Sequence, residues 1–244
     1  MENSIIRLDS HSVENRKVVL ENDMIEQWSS VSKERDGLTE ALTLILEERK
    51  MDIREFLESD SAQQEYLKKV FSDIVKVLQY NTSTGIFLVL GNNNSTEVAG
   101  NYNGFWVRDS DPQNKMVSYT DLLMERGSKT LSQELSISLD SPWQTRFQLA
   151  GKGKRSADDF FYQPYTAAKD YENTSIDMVN LGYWAKPFIL EDHYMDNHKM
   201  ITYSVPLVYE KNVYGVLGVE VSLDYISKYF SVKDLAADMN AGFA

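Results

Sequence analysis

The sequence predicts an α+β fold: a long N-terminal helix and further helices, then an antiparallel sheet carrying inserted helices. Three observations predict it. Helical spacing of apolar residues dominates the first eighty or so positions. At Asn81-Thr-Ser-Thr-Gly85 the chemistry changes to turn residues, and strand-like runs take over. Near the end, residues 199–209 and 212–222 form two apolar runs separated by a short turn, which reads as a hairpin.

The elements follow in order. Residues 10–32 hold no Gly or Pro, and Val13, Leu20, Met24, Trp28 and Val31 make one narrow apolar stripe. Such a stripe suits a helix packed on one side, or paired with a copy of itself. Gly37 is expected to break it. A second helix is expected over residues 38–57 with Leu38, Leu42, Ile45 and Leu46 inward, and a third over 62–79. In the third, Tyr66, Val70, Phe71, Ile74, Val75 and Leu78 form the broad face of a helix covering a sheet. Residues 85–91 and 102–108 read as two strands of an antiparallel hairpin. Residues 118–136 read as partly helical, 143–149 as a strand and 160–170 as a helix. In the last strand Leu217, Val219 and Val221 share one face, opposite Tyr214, Val216, Gly218 and Glu220. Pro206 lacks the N–H a central strand needs, so one side of its strand is an edge or a bulge.

Composition narrows the function. A hydrophobic fraction of 42% over 244 residues supplies a core for one large domain or two small ones. The net charge of -12 repels phosphate backbones and anionic lipid surfaces, so neither is an expected partner. With no cysteine there are no disulfides, thiolate nucleophiles or Cys-type zinc sites. No apolar run reaches the ~18–20 residues that span a bilayer, and residues 1–7 do not read as a signal peptide.

Chemistry-bearing motifs are sparse. Gly100-Asn-Tyr-Asn-Gly104 and Gly215-Val-Leu-Gly218 match no phosphate loop. Glu191-Asp-His-Tyr-Met-Asp-Asn-His198 gathers His and carboxylates but fits no zinc spacing, and it reads as a solvated acidic turn. Neither a catalytic residue, a metal site nor a cofactor is expected. Aromatic and polar residues do mix at strand ends and loop entries: Phe105-Trp106-Val107-Arg108-Asp109, Phe160-Phe-Tyr-Gln-Pro-Tyr165 and Gly182-Tyr-Trp-Ala-Lys-Pro-Phe188. Glu220 sits in an otherwise apolar strand, where a carboxylate needs a cation or a ligand as partner. Aromatic walls with a few placed charges suit a small polar ligand, although a plain core or interface uses the same rings.

Four segments carry a resemblance. They are Phe160-Phe-Tyr-Gln-Pro-Tyr-Thr-Ala-Ala168, Leu181-Gly-Tyr-Trp184 with Pro187-Phe188, Ile201-Thr-Tyr-Ser-Val-Pro-Leu207, and Val213-Tyr-Gly-Val-Leu-Gly-Val-Glu-Val-Ser222. In this order they resemble the membrane-distal half of a double Cache sensor domain, a PAS-like fold. The resemblance implies a sheet of about five antiparallel strands with a ligand held beneath an overhanging loop layer, and no catalysis. It implies residues 1–36 as a signalling helix rising from a membrane anchor, 37–230 as the sensor, and 231–244 as the start of a membrane-proximal part. Together with the aromatic and polar segments above, it makes Trp106, Arg108, Tyr162, Tyr165, Trp184, Tyr203 and Glu220 the candidate ligand-binding residues. Amino-acid-binding members carry an Arg-x-Trp-Tyr stretch and a later strand Asp. Here Tyr165 matches the Tyr and Glu220 the Asp, but Pro164 replaces the Trp and Tyr162 stands near the Arg position. The carboxylate-clamping Arg is therefore missing, unless Arg108 or Arg146 supplies that cation.

The expected partner is thus a small polar organic molecule, with a homodimer through the N-terminal helix as a further possibility. Membrane contact would come only through anchors outside this sequence. The expected place is the outer side of the cell membrane, with a histidine kinase, diguanylate cyclase or chemoreceptor as output. Two other readings stay open: a dimerisation module without a small ligand, and a metal-dependent hydrolase built on the carboxylates and the His193/His198 loop.

Overall fold

The computed structural model describes residues 36–81, 83–93, 99–112, 119–170, 178–190 and 199–228, with isolated helical positions between 14 and 34. Val13, Leu20, Met24 and Trp28 of the stripe, the histidines and residues 231–244 lie outside the described residues. Val31 is described, and it is fully buried.

Helix α1 covers residues 36–49, so Gly37 does not break the helix. The break comes at Lys50, whose φ of 52° is left-handed, the usual geometry just past a helix end. Helix α2 (Ile53–Glu58) starts at once because Asp52 and Glu55 form a reciprocal capping box. The local preference of these two acids outweighs the helical spacing that joins residues 38–57 into one element. Ser59 caps α3 (Asp60–Tyr80), which buries all six residues of its expected face.

A seven-stranded sheet has the order β5-β4-β3-β1-β9-β8-β7. Its centre is β1 (Gly85–Leu90), flanked by β3 (Gly104–Asp109) and β9 (Asn212–Ser222), both antiparallel to it. β8 (Met200–Tyr209) forms the closing hairpin with β9, and β7 (Tyr183–Trp184) is a short edge. On the other side come β4 (Leu122–Arg126) and β5 (Ser138–Gln144). This last pair is parallel, because helix α4 (Lys129–Glu134) makes the crossover between them. The sheet therefore exceeds five strands and is not wholly antiparallel. β2 (Gly100–Tyr102) and β6 (Phe147–Leu149) pair separately.

Strand alternation sorts two cores onto the two faces of the sheet. Ile86, Leu88, Phe105, Val107, Leu217 and Val219 pack with α1, α2 and α3. Phe87, Val89, Trp106 and Val216 face the opposite way, beneath α5 (Asp159–Asp170) and the β2–β6 pair. Tyr214 departs from the expected alternation. It joins the α3 side, edge-on to Tyr66 at 6.0 Å, near a register shift at Leu207/Val208 that lets the hairpin end twist. Pro206 lies past the two residues that β7 pairs, so its missing N–H leaves no broken ladder bond there.

Phe71 on α3 meets Phe105 edge-to-face at 4.9 Å with no exposed surface. Phe71→Ala should lower the unfolding free energy by about 3–5 kcal/mol, measured by urea denaturation. A loss below about 1 kcal/mol would show that α3 does not cover the sheet as described.

Candidate functional site

Register builds the site. Arg108, Gly85, Glu220 and Thr202 lie opposite one another in a row across β3, β1, β9 and β8. Trp106, Phe87, Gly218 and Ser204 form the next row on the same face, two residues along each strand. Glycines make the room. A Cβ at Gly85 would stand 2.6 Å from Glu220 Oε2, and one at Gly218 would stand 2.3 Å from the Phe87 ring. The carboxylate lies over the first glycine and the ring over the second. Phe87 stacks on Trp106 at 4.4 Å, and Phe160 from α5 meets Trp106 edge-on at 5.2 Å.

Glu220 has no exposed surface. The Trp106 indole N–H donates to its Oε2 at 2.7 Å, and the Thr84 hydroxyl donates to its Oε1 at 3.2 Å. Arg108 Nε stands 3.8 Å from Oε1, while Arg108 Nη1 reaches Asp140 Oδ2 on β5 at 3.4 Å. Beside them Glu125 on β4 is 4% exposed, and its Oε2 has no hydrogen-bond partner among the described residues. Burial, reinforced by the nearby Glu220 charge, pushes the Glu125 carboxyl up to about 7. Arg126, also buried, donates to the Glu125 and Pro142 carbonyls. On the other side of Glu220 the buried Thr202 hydroxyl likewise lacks a partner among the described residues. Unmet hydrogen-bonding capacity thus flanks the central carboxylate on both sides.

A cavity of about 250 Å³ adjoins this centre at the strand ends. Thr84 and Arg108 form part of its wall, with Asp109, Ser110, Ser222 and Asp224. These two residues separate the cavity from Glu220. Burial raises Asp109 to about 6. The Ser222 N–H donates to Thr84 Oγ1 at 2.8 Å, and Ser222 Oγ in turn accepts from Tyr225 N on α6 (Leu223–Lys228) at 3.0 Å. The Thr84 and Ser222 hydroxyls therefore link the Glu220 carboxylate to the helix that follows β9.

The seven residues expected from sequence separate into groups. Trp106, Arg108 and Glu220 converge. Tyr162 and Tyr165 sit on α5 over the same face but serve other contacts. The Tyr162 hydroxyl accepts from Gly151 N at 3.1 Å, and the Tyr165 hydroxyl donates to Val213 O at 3.0 Å near the far end of β9. Trp184 and Tyr203 pack together at 5.0 Å against the α3-side core, across the sheet from Glu220. Arg146 pairs with Asp60 at 2.7 Å and is no part of this cluster. Thr84, Glu125, Asp140 and Thr202 were not singled out by sequence. Thr84 stood in the turn segment ahead of β1, and Glu125 and Asp140 lie in stretches lacking clean alternation. Among the described residues, no group of three or more His, Asp or Glu is placed to hold a metal ion, and no helix is long and apolar enough to cross a membrane.

No family model matches the chain, and no curated protein matches it. Among solved structures it is similar to one described as the extracellular domain of a histidine kinase, soHK1S-Z6. That match has 18% identity and a TM-score of 0.36, covering 89% of this chain and 65% of the other. It is similar to Methyl-accepting Chemotaxis protein X, with 10% identity and a TM-score of 0.40 over 93% of this chain and 68% of the other. It is also similar to the ligand-binding domain of the Campylobacter jejuni chemoreceptor Tlp3 in complex with L-valine. There the identity is 12% and the TM-score 0.32, over 92% of this chain and 65% of the other. The chain thus spans just under two thirds of the histidine kinase domain.

A carboxyl raised in the folded state favours folding below its ordinary value and loses that contribution as pH rises through the folded value. Glu125, lifted from 4.5 to about 7, should therefore make the protein less stable between pH 5 and pH 8, by up to about 3 kcal/mol. Asp109 acts in the same direction. Glu125→Gln should flatten most of this slope in urea denaturation across that range. An unchanged slope would show that Glu125 ionises as it does in water.

Proposed function

We propose that this chain is the ligand-sensing domain, on the outer side of the membrane, of a receptor with a signalling output elsewhere in the protein. The observation that carries the reading is Glu220: a fully buried carboxylate met by an indole N–H, a hydroxyl and a distant guanidinium, between two polar groups with unmet capacity. A purely structural sheet has no use for this arrangement at its centre. Glu220, Glu125 and Asp140 outnumber Arg108 and Arg126 around it. The site therefore favours a small polar organic ligand rich in hydrogen-bond donors, such as an amine or a polyol.

Entry is from the strand-end cavity, where Arg108 keeps 15% of its side chain exposed and can swing aside. A ligand donor that takes over Glu220 Oε1 releases the Thr84 hydroxyl. That hydroxyl holds Ser222, and Ser222 caps α6, so binding favours one placement of the departing helix over another. At the other end α1 runs unbroken through residues 36 and 37, so a signalling helix over 1–36 would join the sensor at 37–230 without a hinge at that boundary. Residues 231–244 lead into a membrane-proximal part, and a histidine kinase, cyclase or chemoreceptor is the class of output.

The test is a thermal-shift panel of amines, amino acids, polyols and carboxylates on the protein and on Glu220→Gln and Trp106→Phe. A ligand at ~100 times its Kd should add about 2.7 kcal/mol of stability, and Glu220→Gln should abolish that gain. Silence across the panel with concentration-dependent association would favour a dimerisation module instead. A response that survives Glu220→Gln would place the ligand elsewhere.

A further inference from the structure

At the opposite end of the sheet, β1 ends at Leu90 and β9 begins at Asn212. Five residue steps along β1, from Gly85 opposite Glu220 to Leu90, at ~3.3 Å each put this end about 17 Å from Glu220. A second cavity of about 230 Å³ lies here, lined by Arg54 of α2, Lys169 in the last turn of α5, Asn92, Asn93, Asn212 and Tyr165. Its two cations come from helices packed on opposite faces of the sheet.

Arg54 stands apart in its pairing. Arg49, Arg108, Arg126, Arg146 and Arg155 each have a carboxylate oxygen within 4 Å. Among the described residues Arg54 and Lys169 have none. Among the described arginines Arg54 is the exception, in a chain that carries 37 acids to 25 bases. The nearby acids already have hydrogen-bond donors, Glu58 from a residue of the cavity wall itself. Glu58, one turn along α2 from Arg54, accepts from the Asn93 amide, and Asp52 caps the start of α2. The cavity walls are fixed. The Tyr165 hydroxyl is tied to Val213 O, and its ring fills the space that a side chain at Gly91 would need. Gln63 Nε2 bonds both Leu57 O and Gly91 O, anchoring α2 to the strand end.

We propose that this cavity is a second binding site, independent of Glu220, for a small oxyanion: a phosphate or a compact carboxylate. The Arg54 fork suits two oxygens of such a group, and Lys169 supplies a second positive charge. The volume admits a phosphate or a short dicarboxylate, not a nucleotide.

Thermal unfolding with inorganic phosphate, with succinate, and with chloride at matched ionic strength tests this. Arg54 and Lys169 are exposed, so Arg54→Ala/Lys169→Ala should fold and unfold in chloride like the parent. Phosphate or succinate at roughly ten times its Kd should raise Tm by about 3 °C over chloride. The rise should persist in Glu220→Gln and vanish in the double variant, with the more effective probe naming the oxyanion class. Equal Tm in all three salts would overturn the site. So would a rise of the same size in the double variant, which would reflect general salt exclusion from the surface.

Discussion

A carboxylate moved from water into a protein interior loses several kcal/mol of solvation unless its oxygens are met by donors. Glu220 sits in the central part of a seven-stranded sheet with no exposed surface, and its neighbourhood is arranged around that demand. Trp106 faces the α5 side because its indole N–H must reach Oε2. Gly85 has no side chain because Oε2 occupies that space. Thr84, the last residue before β1, gives its hydroxyl to the carboxylate and receives the Ser222 N–H, closing the sheet at this end.

That demand also divides the two faces. The α1–α3 side is closed by aliphatic and aromatic side chains meeting from helix and sheet. On the α5 side the aromatic packing of Phe87, Trp106 and Phe160 gives way, toward the β1 start, to Arg108, Glu125, Asp140, Glu220 and Thr202. Sheet faces that carry only structure avoid such groupings, since each unmet buried polar atom lowers stability. Here the polar patch adjoins a cavity and connects by two hydrogen bonds to helix α6, which follows β9. The oxyanion cavity at the other strand ends shares none of these residues.

Much of this was legible in the sequence where one physical signal was strong. The β8–β9 hairpin stood out because two long β-branched runs flank a short turn. α3 stood out because six apolar residues repeat at helical spacing. Glu220 was visible as a lone acid in an apolar strand, and Trp106 and Arg108 as members of an aromatic–polar segment with Arg108 a candidate cation; β1 pairing with both strands is what brings them beside Glu220. Other features depended on pairing that one strand cannot reveal. Trp184 and Tyr203 belong to the opposite face, because composition does not tell which side of β7 and β8 meets α5. β5 was hidden by Asp140 and Pro142, residues that disfavour strands and are tolerated at a sheet edge. Glu125 became part of the site through a bulge at Trp106/Val107 that no spacing encodes.

The central claim is that Glu220 is kept for recognition and not for stability. The most direct measurement is the unfolding free energy of Glu220→Gln against the parent at neutral pH without ligand. Glutamine keeps one acceptor oxygen for the Trp106 N–H, turns an amide N–H toward the Thr84 hydroxyl oxygen, removes a buried charge beside Glu125, and leaves Arg108 its contact with Asp140. The account predicts unchanged or higher stability, within about 1 kcal/mol of the parent or above it. A loss of about 3–5 kcal/mol, the usual consequence of breaking a buried ion pair, would mean that Glu220 holds the sheet together and would contradict the claim.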